Sequence, residues 1–456
     1  MDVLEFRSAL EPHLSSLRVA VYASGGAPSH HLALLALWGG NPEVIYADEI
    51  INGKLSQYDA VIFPGGGLAA MAGQLEPLGG VGLSALRHWV EAGGSYLGSC
   101  AGSCHPLRMS GAYNKAYPDA LQFQICDVTP LNAAAGAWGL DSPGTGRLHV
   151  APEAHPLFEG FTDPFEIVHY NGPLFPPSAG AAGQVLGSAD AFTPFETSQF
   201  LPAKPTTLER VVSQGARLSY HQRVGGGQVI VFGSHPEFGG SALQLGWLSA
   251  VRLLANALGL IPAKSAPFKP GTSVLNEQTL LGIEQRVTAL AALLSQAAPL
   301  GARLPTATPS FLGLSGLDLW NTVLDEAQDI LNGLERWAVT CPSYMPLRDP
   351  KLLDAAPKPG QDVGFMGACQ LLDRALELTR RAVDPETEWP DFTGAYDQLE
   401  THPYHYLVGS YLSAGGLITA AALQVTAFTA TNALPLPYPV PLSLGDLHAK
   451  QTLQRL

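Results

Sequence analysis

The sequence predicts a doubly wound α/β layer of parallel strands over residues 1–260, followed by an all-α helical bundle over 273–435. Three observations carry this. Short β-rich apolar runs alternate with helical stretches through the first part, the pattern of a parallel sheet covered on both faces. A Pro-rich stretch, IPAKSAPFKPG (Ile261–Gly271), then interrupts it and reads as a linker over 261–272. Beyond it, apolar residues recur at helical rather than alternating spacing.

LRVAVYA (Leu17–Ala23) reads as the first strand, and an apolar helix follows from about Ser29 to Trp38. EVIYA and YDAVIFPGGG are the second and third strands, the latter stopped by Pro64 and three glycines. A helix over Val81–Ala92 leads through Gly93-Gly94 into the strand SYLGSC. Unbroken apolar runs suit strands buried on both faces. The Gly-, Pro- and Ala-rich middle offers strands at LQFQICDV, EIVHYN and QVLGSA. LSYHQRVGGGQVIVFG reads as a hairpin turning through Gly225–Gly227, and a helix over Ser241–Leu258 closes the first part.

After the linker, helices are expected near 273–297, 316–339, 361–383 and 405–430. Leu319, Trp320, Val323, Leu324, Ala327, Ile330, Leu331 and Leu334 mark one broad apolar side. Four such helices predict a four-helix bundle, separable from the first part, with residues 436–456 as a tail. From Tyr406 to Ala430 there is no charged residue. Its serines, threonines, glycines and Gln424, without basic flanks, favour a buried bundle helix over a membrane span.

Hydrophobic residues make up 46% and charged residues 14%, a globular balance. The net charge of −14, without clustered Lys or Arg, argues against nucleic acid as a partner. Five cysteines form no disulfide framework and fit a reducing compartment. No secretory leader is read at the N-terminus, so a cytoplasmic protein, without a membrane partner, is expected. His30-His31 and His402/His405 lack ligand-spaced partners and read as surface or helix-end residues, so neither metal nor cofactor is expected.

Chemistry gathers at three strand ends. Gly98-Ser99-Cys100-Ala101-Gly102 follows a strand and precedes a helix, the turn that projects a nucleophile. Ser234-His235-Pro236-Glu237 follows the strand QVIVFG and supplies a base with a carboxylate to orient it. Pro64-Gly65-Gly66-Gly67 ends a third strand, where glycines let main-chain N–H groups approach an oxyanion. The open side of an α/β sheet is where its ligands bind.

These three pieces resemble class I glutamine amidotransferase-like domains. VIFPGGGLA, GGSYLGSCAGSC, HYNGPLF and VIVFGSHPEF resemble more closely the N-terminal amidotransferase-like domain of eukaryotic-type biotin–protein ligases. Over residues 17–258 the resemblance implies a flavodoxin-like fold and a Cys100–His235–Glu237 triad. It further implies an oxyanion hole from Gly65 or Gly66 with Ala101, and a pocket drawing on Gly67, Cys104, Tyr170, Asn171 and Gly172. The sequence departs from the pattern in two places. Cys104 stands where glutamine-hydrolysing members have glutamine, and the region after the linker has no biotinyl-adenylate loop.

The expectation is a cysteine hydrolase or amidotransferase acting on the C–N bond of a small-molecule amide through a thioester. The alternative is a non-catalytic regulatory or sensing module on the same fold, and the third reading is a cysteine peptidase. The helical part is expected to be the surface for a second copy or a partner protein.

Overall fold

The computed structural model describes residues 3–66, 70–109, 111–131, 145–170, 172–194, 210–239, 243, 248–263, 272–274, 277–304, 316–340, 344–346, 349–356, 365–389, 402–408 and 413–429. Nine strands form one sheet: β1 (Val19–Tyr22), β2 (Glu43–Ile45), β3 (Ala60–Phe63), β4 (Ser95–Ser99), β5 (Thr145–Ala151), β6 (Phe165–Tyr170), β7 (Gly183–Pro194), β8 (Arg217–Val224) and β9 (Gly227–Phe232). Their order is β2-β1-β3-β4-β9-β8-β7-β5-β6. The first five run parallel, in the flavodoxin-like arrangement, and the remaining four are antiparallel.

Alternation within buried strands sets the two faces. Val19, Val21, Ile62, Leu97 and Ile230 point into one apolar cluster, and Ala20, Tyr22, Val61, Phe63, Tyr96 and Val231 into the other. The first face is covered by α1 (Arg7–Leu14) and α2 (Ser29–Leu37). The second is covered by α3 (Ala47–Ile51), α4 (Ala70–Leu75) and α5 (Gly79–Glu91). Helices α6 (Ala101–Cys104) and α7 (Gly111–Ala116) are short, and α8 (Val251–Gly259) returns to the first face.

Four later helices close a ring: α9 (Glu277–Ala297), α10 (Gly316–Thr340), α11 (Ala368–Val383) and, beyond the short α12 (Pro403–Leu407), α13 (Ala414–Thr429). α9 packs on α10 and α11, and α13 packs on both α10 and α11, which makes the expected bundle. α13 also packs on α2. A helix enclosed on all sides must be apolar all round, which explains the uncharged run ending near 430. Among the described residues no helix is long and apolar enough to cross a membrane.

Several elements differ from the sequence reading. LQFQICDV is not a strand: Pro118 starts a 3-10 turn through Gln122, and the amides of Ile125 and Cys126 both donate to Pro106 O. β5 was not anticipated, because only Leu148 and Val150 mark its inner face and Gly- and Pro-rich sequence surrounds it. The closing helix begins at Val251, ten residues beyond Ser241. Residues 272–274 form β10 (Thr272–Val274), paired antiparallel with β11 (Tyr344–Pro346), so α9 starts only at Glu277. The expected tail lies outside the described residues.

The bundle and the sheet layer share one apolar cluster. Leu290, Trp320, Leu372 and Leu423 belong to the same continuous cluster as Val21 and Leu34 of the sheet layer. Polar ties reinforce it: Phe365 N donates to Ala23 O (3.1 Å), Leu243 N to Glu326 Oε2 (3.0 Å), and Gln424 Nε2 to Ser29 Oγ (3.2 Å). Burying each leucine across this seam contributes about 1.5–3 kcal/mol, far more than a chain connection supplies. With a protease site inserted between Lys264 and Gly271, the cleaved fragments should still elute together on size exclusion without denaturant. Separate elution of two folded pieces would show independent domains.

Candidate active site

β4 ends at Ser99, and the chain must reverse at once into α6. Cys100 sits at that corner with φ 47° and ψ −112°, the one non-glycine residue with positive φ among the described residues. Such a conformation costs on the order of 1–3 kcal/mol and persists only where surrounding structure holds it. Here Cys100 N donates to Phe232 O at 2.9 Å, and Ser103 Oγ and Cys104 Sγ both donate to Cys100 O. Small residues are needed below the turn, since a Cβ on Gly102 would lie 2.1 Å from Phe63 O.

His235 and Glu237 leave the end of β9, the strand beside β4. His235 N donates to Val168 O (2.8 Å), which ties this loop to β6. The His235 ring stacks on Phe238, with centroids 4.1 Å apart, and faces the edge of Tyr170. Its Nδ1 lies 2.7 Å from Glu237 Oε1, and both side chains are 1% exposed. Burial by itself would lower the His235 pKa. The Cys100 sulfur and the Glu237 carboxylate, the latter hydrogen-bonded to the ring, outweigh it and raise the value to about 10. Burial likewise would raise Glu237, yet the adjacent His31 and His235 and the hydrogen bond from His235 hold it down at about 2. The pair is therefore built to keep imidazolium beside carboxylate.

Of the other sequence-predicted residues, Gly65, Tyr170 and Gly172 stand beside Cys100, whereas Cys104 turns away. A Cβ on Gly65 would stand 2.6 Å from both Cys100 Cβ and His235 Cε1, so only glycine fits beside nucleophile and base. Its carbonyl accepts from Ala27 N (2.8 Å), and Pro64 O accepts from Gln74 Nε2 (2.7 Å), which tie the loop from behind. Gly66 follows with φ 75°, and Ala101 follows Cys100 as the first residue of α6. Tyr170 O accepts from Cys100 Sγ at 3.1 Å. Gly172 reaches the same place, since a Cβ there would be 3.1 Å from Cys100 Cα. Gly67 and Asn171 lie outside the described residues.

Cys104 is the exception. It is fully buried among Phe63, Tyr96, Leu107 and Tyr113 beneath the turn, and burial first, then the nearby Cys100, pushes its thiol pKa well up. One helical turn after Cys100, its side chain bonds back to the Cys100 carbonyl rather than facing a pocket.

Histidines read from the sequence as surface residues are interior. His402 is fully buried and caps α12, accepting from Tyr404 N at 3.1 Å; His405 is 4% exposed. His31 is fully buried at the site itself, its Nε2 3.2 Å from Ser99 Oγ and 3.7 Å from Glu237 Oε2. His169, also fully buried, lies with Nδ1 2.9 Å from Ser234 Oγ, and burial first, then His235, lowers its pKa to about 3. The available signal for His31 was position: the start of a helix entered from the carboxyl end of β1. Among the described residues no group of three or more His, Cys, Asp or Glu side chains is placed to hold a metal ion.

The strand order makes this a flavodoxin-like α/β fold, with the strained cysteine turn at the carboxyl end of β4. No family model matches the sequence, and no curated protein matches it. Among solved structures, the chain is similar to two cytoplasmic proteins of Salmonella typhimurium. One match has a TM-score of 0.34 at 15% identity over 54% of this chain and 100% of that one. The other, from strain LT2, has a TM-score of 0.34 at 16% identity over 54% and 99%. A glutamine amidotransferase from Thermotoga maritima matches with a TM-score of 0.29 at 12% identity over 50% and 77%. These likenesses say nothing of activity or substrate.

Proposed function

We propose that the chain is a cysteine-dependent hydrolase or amidotransferase that cleaves the C–N bond of a small-molecule amide. The observation that carries this reading is the strained Cys100 turn set against a buried His235–Glu237 pair at 2.7 Å. In this reading the Cys100 sulfur adds to the amide carbonyl carbon, and the carbonyl π pair moves to oxygen. Main-chain N–H groups of Gly65 or Gly66 and of Ala101 hold the resulting oxyanion. His235, having taken the thiol proton, gives it to the nitrogen. The C–N bond breaks, ammonia or an amine leaves, and the acyl group stays on sulfur as a thioester. Water then adds, passing its proton through His235 to the departing sulfur, and the carboxylic acid is released. Glu237 orients His235 throughout.

With Cys100 7% exposed and its partners 1% exposed, a small substrate suits the site better than an extended polypeptide, which disfavours the peptidase reading. Glutamine is not singled out, because Cys104 faces the core. The finer kinship with biotin–protein ligase N-terminal domains rests on the motifs alone. Iodoacetamide labelling at neutral pH, followed by mass spectrometry, tests the proposal. Cys100 should be modified ahead of Cys104, Cys126, Cys341 and Cys369. First labelling at Cys341 or Cys369 would overturn the site. A folded protein with inert Cys100 would favour the regulatory module, which the sulfur's hydrogen bond to Tyr170 O also suits.

A further inference from the structure

We propose that His31 is a positioning residue for the triad, its Nε2–H, within hydrogen-bond reach of Ser99 Oγ, lying close enough to Glu237 Oε2 to steady the carboxylate from a second side. The inference rests on the hydrolase reading. Glu237 Oε1 is engaged by His235, whereas Oε2 is buried without a hydrogen-bond partner among the described residues. A buried carboxylate oxygen left so is costly and free to swing. At 3.7 Å, His31 Nε2 is set opposite it, with Ser99 Oγ at 3.2 Å steadying the ring. Contacts of this kind tighten when the reacting complex forms.

The tautomer follows from the other ring nitrogen. Among the described residues His31 Nδ1 is buried without a partner, so a hydrogen there would be a stranded donor, while Nε2 would turn a lone pair toward the carboxylate. Nε2–H avoids both. Burial lowers the His31 pKa first, Glu237 opposes this, and His235 adds to the lowering. Apart from Glu237, the polar neighbour of the ring among the described residues is Ser99 Oγ. The neighbouring Leu32, Ala33, Leu34 and Leu35 are fully or almost fully buried, and a leucine at 31 would avoid burying two ring nitrogens.

The test is the rate of Cys100 alkylation by iodoacetamide in the full chain, with the fold checked by circular dichroism. His31→Leu should slow alkylation about tenfold, the lower end of what orienting partners contribute. His31→Gln, which can place an amide N–H where Nε2 stands, should stay within about twofold of the parent. In a Glu237→Gln background, His31→Leu should have no further effect, because the two act through one contact. An unchanged rate in His31→Leu, or the same tenfold loss in both backgrounds, would overturn the proposal. If His31→Leu does not fold, His31→Gln against His31→Asn decides: Asn places its amide at the δ position and should be slower, and equal rates would overturn the idea. Should Cys100 of the parent protein not be the fastest thiol, the hydrolase reading itself fails; fast Cys100 with independent effects sinks only the role of His31.

Discussion

Cys100→Ala is expected to abolish amide turnover, a loss of about 10³-fold or more, and His235→Ala to come close to it. The alanine variant has no second nucleophile to use. Ser99 Oγ is engaged by His31, and Cys104 lies in the core with its thiol pKa pushed well up, by burial first and then by Cys100. Removing His235 leaves the thiol without the group that takes its proton and later gives it to the departing nitrogen. Glu237→Ala should cost less than either, since the carboxylate acts only through the imidazole. The combined variants should be no slower than Cys100→Ala alone, because members of one catalytic unit fail together. Release of ammonia or amine from a panel of small amides is the measurement. Turnover that survives Cys100→Ala would remove the proposed chemistry from this site.

Glu237→Leu should destabilise the protein by about 3–5 kcal/mol, the range for breaking a buried ion pair by removing one partner. The pH dependence of the pair has a definite sign. His235, raised in the fold to about 10 from an ordinary 6.5, contributes stability that is full below about 6.5 and lost as pH rises through about 10. Glu237, lowered to about 2 from 4.5, contributes stability present above about 4.5 and lost as pH falls through about 2. The two windows overlap between about 4.5 and 6.5. There the melting temperature of the parent should exceed that of Glu237→Gln by the most, and the gap should narrow toward either extreme. A gap that stays constant from pH 3 to pH 9 would mean that the pair is not ionised as described. Thermal unfolding of both proteins across that range decides it.

Local signals made much of the fold and its site legible. Cys100, His235 and Glu237 each follow a strand whose unbroken apolar run announces burial, and a glycine or proline marks where each run stops. Side-chain period and turn chemistry act over a few residues, so strand ends and the residues on them can be read from the chain. The Cys100 turn, the β8–β9 hairpin and the four long helices belong to this class. LQFQICDV failed for the same local reason. Its apolar residues are buried against the second face, but its amides found the Pro106 carbonyl before any sheet edge.

What the tertiary structure alone decided concerns partners distant in sequence. β9 lies beside β4 although well over a hundred residues separate them, and this neighbourhood brings His235 to Cys100. His31 comes within 3.7 Å of Glu237 from α2, more than two hundred residues earlier, and apart from its place at the start of the helix after β1 its local sequence gives no sign of that partner. Cys104 had the spacing of a pocket residue, yet one turn of helix carries its thiol beneath Cys100 into the core. The bundle, complete in pattern by itself, shares its core with α2 because α13 is apolar on every side and must be covered on every side. Periodicity shows that a helix has an apolar face; which surface covers that face is determined by the packing of the whole chain.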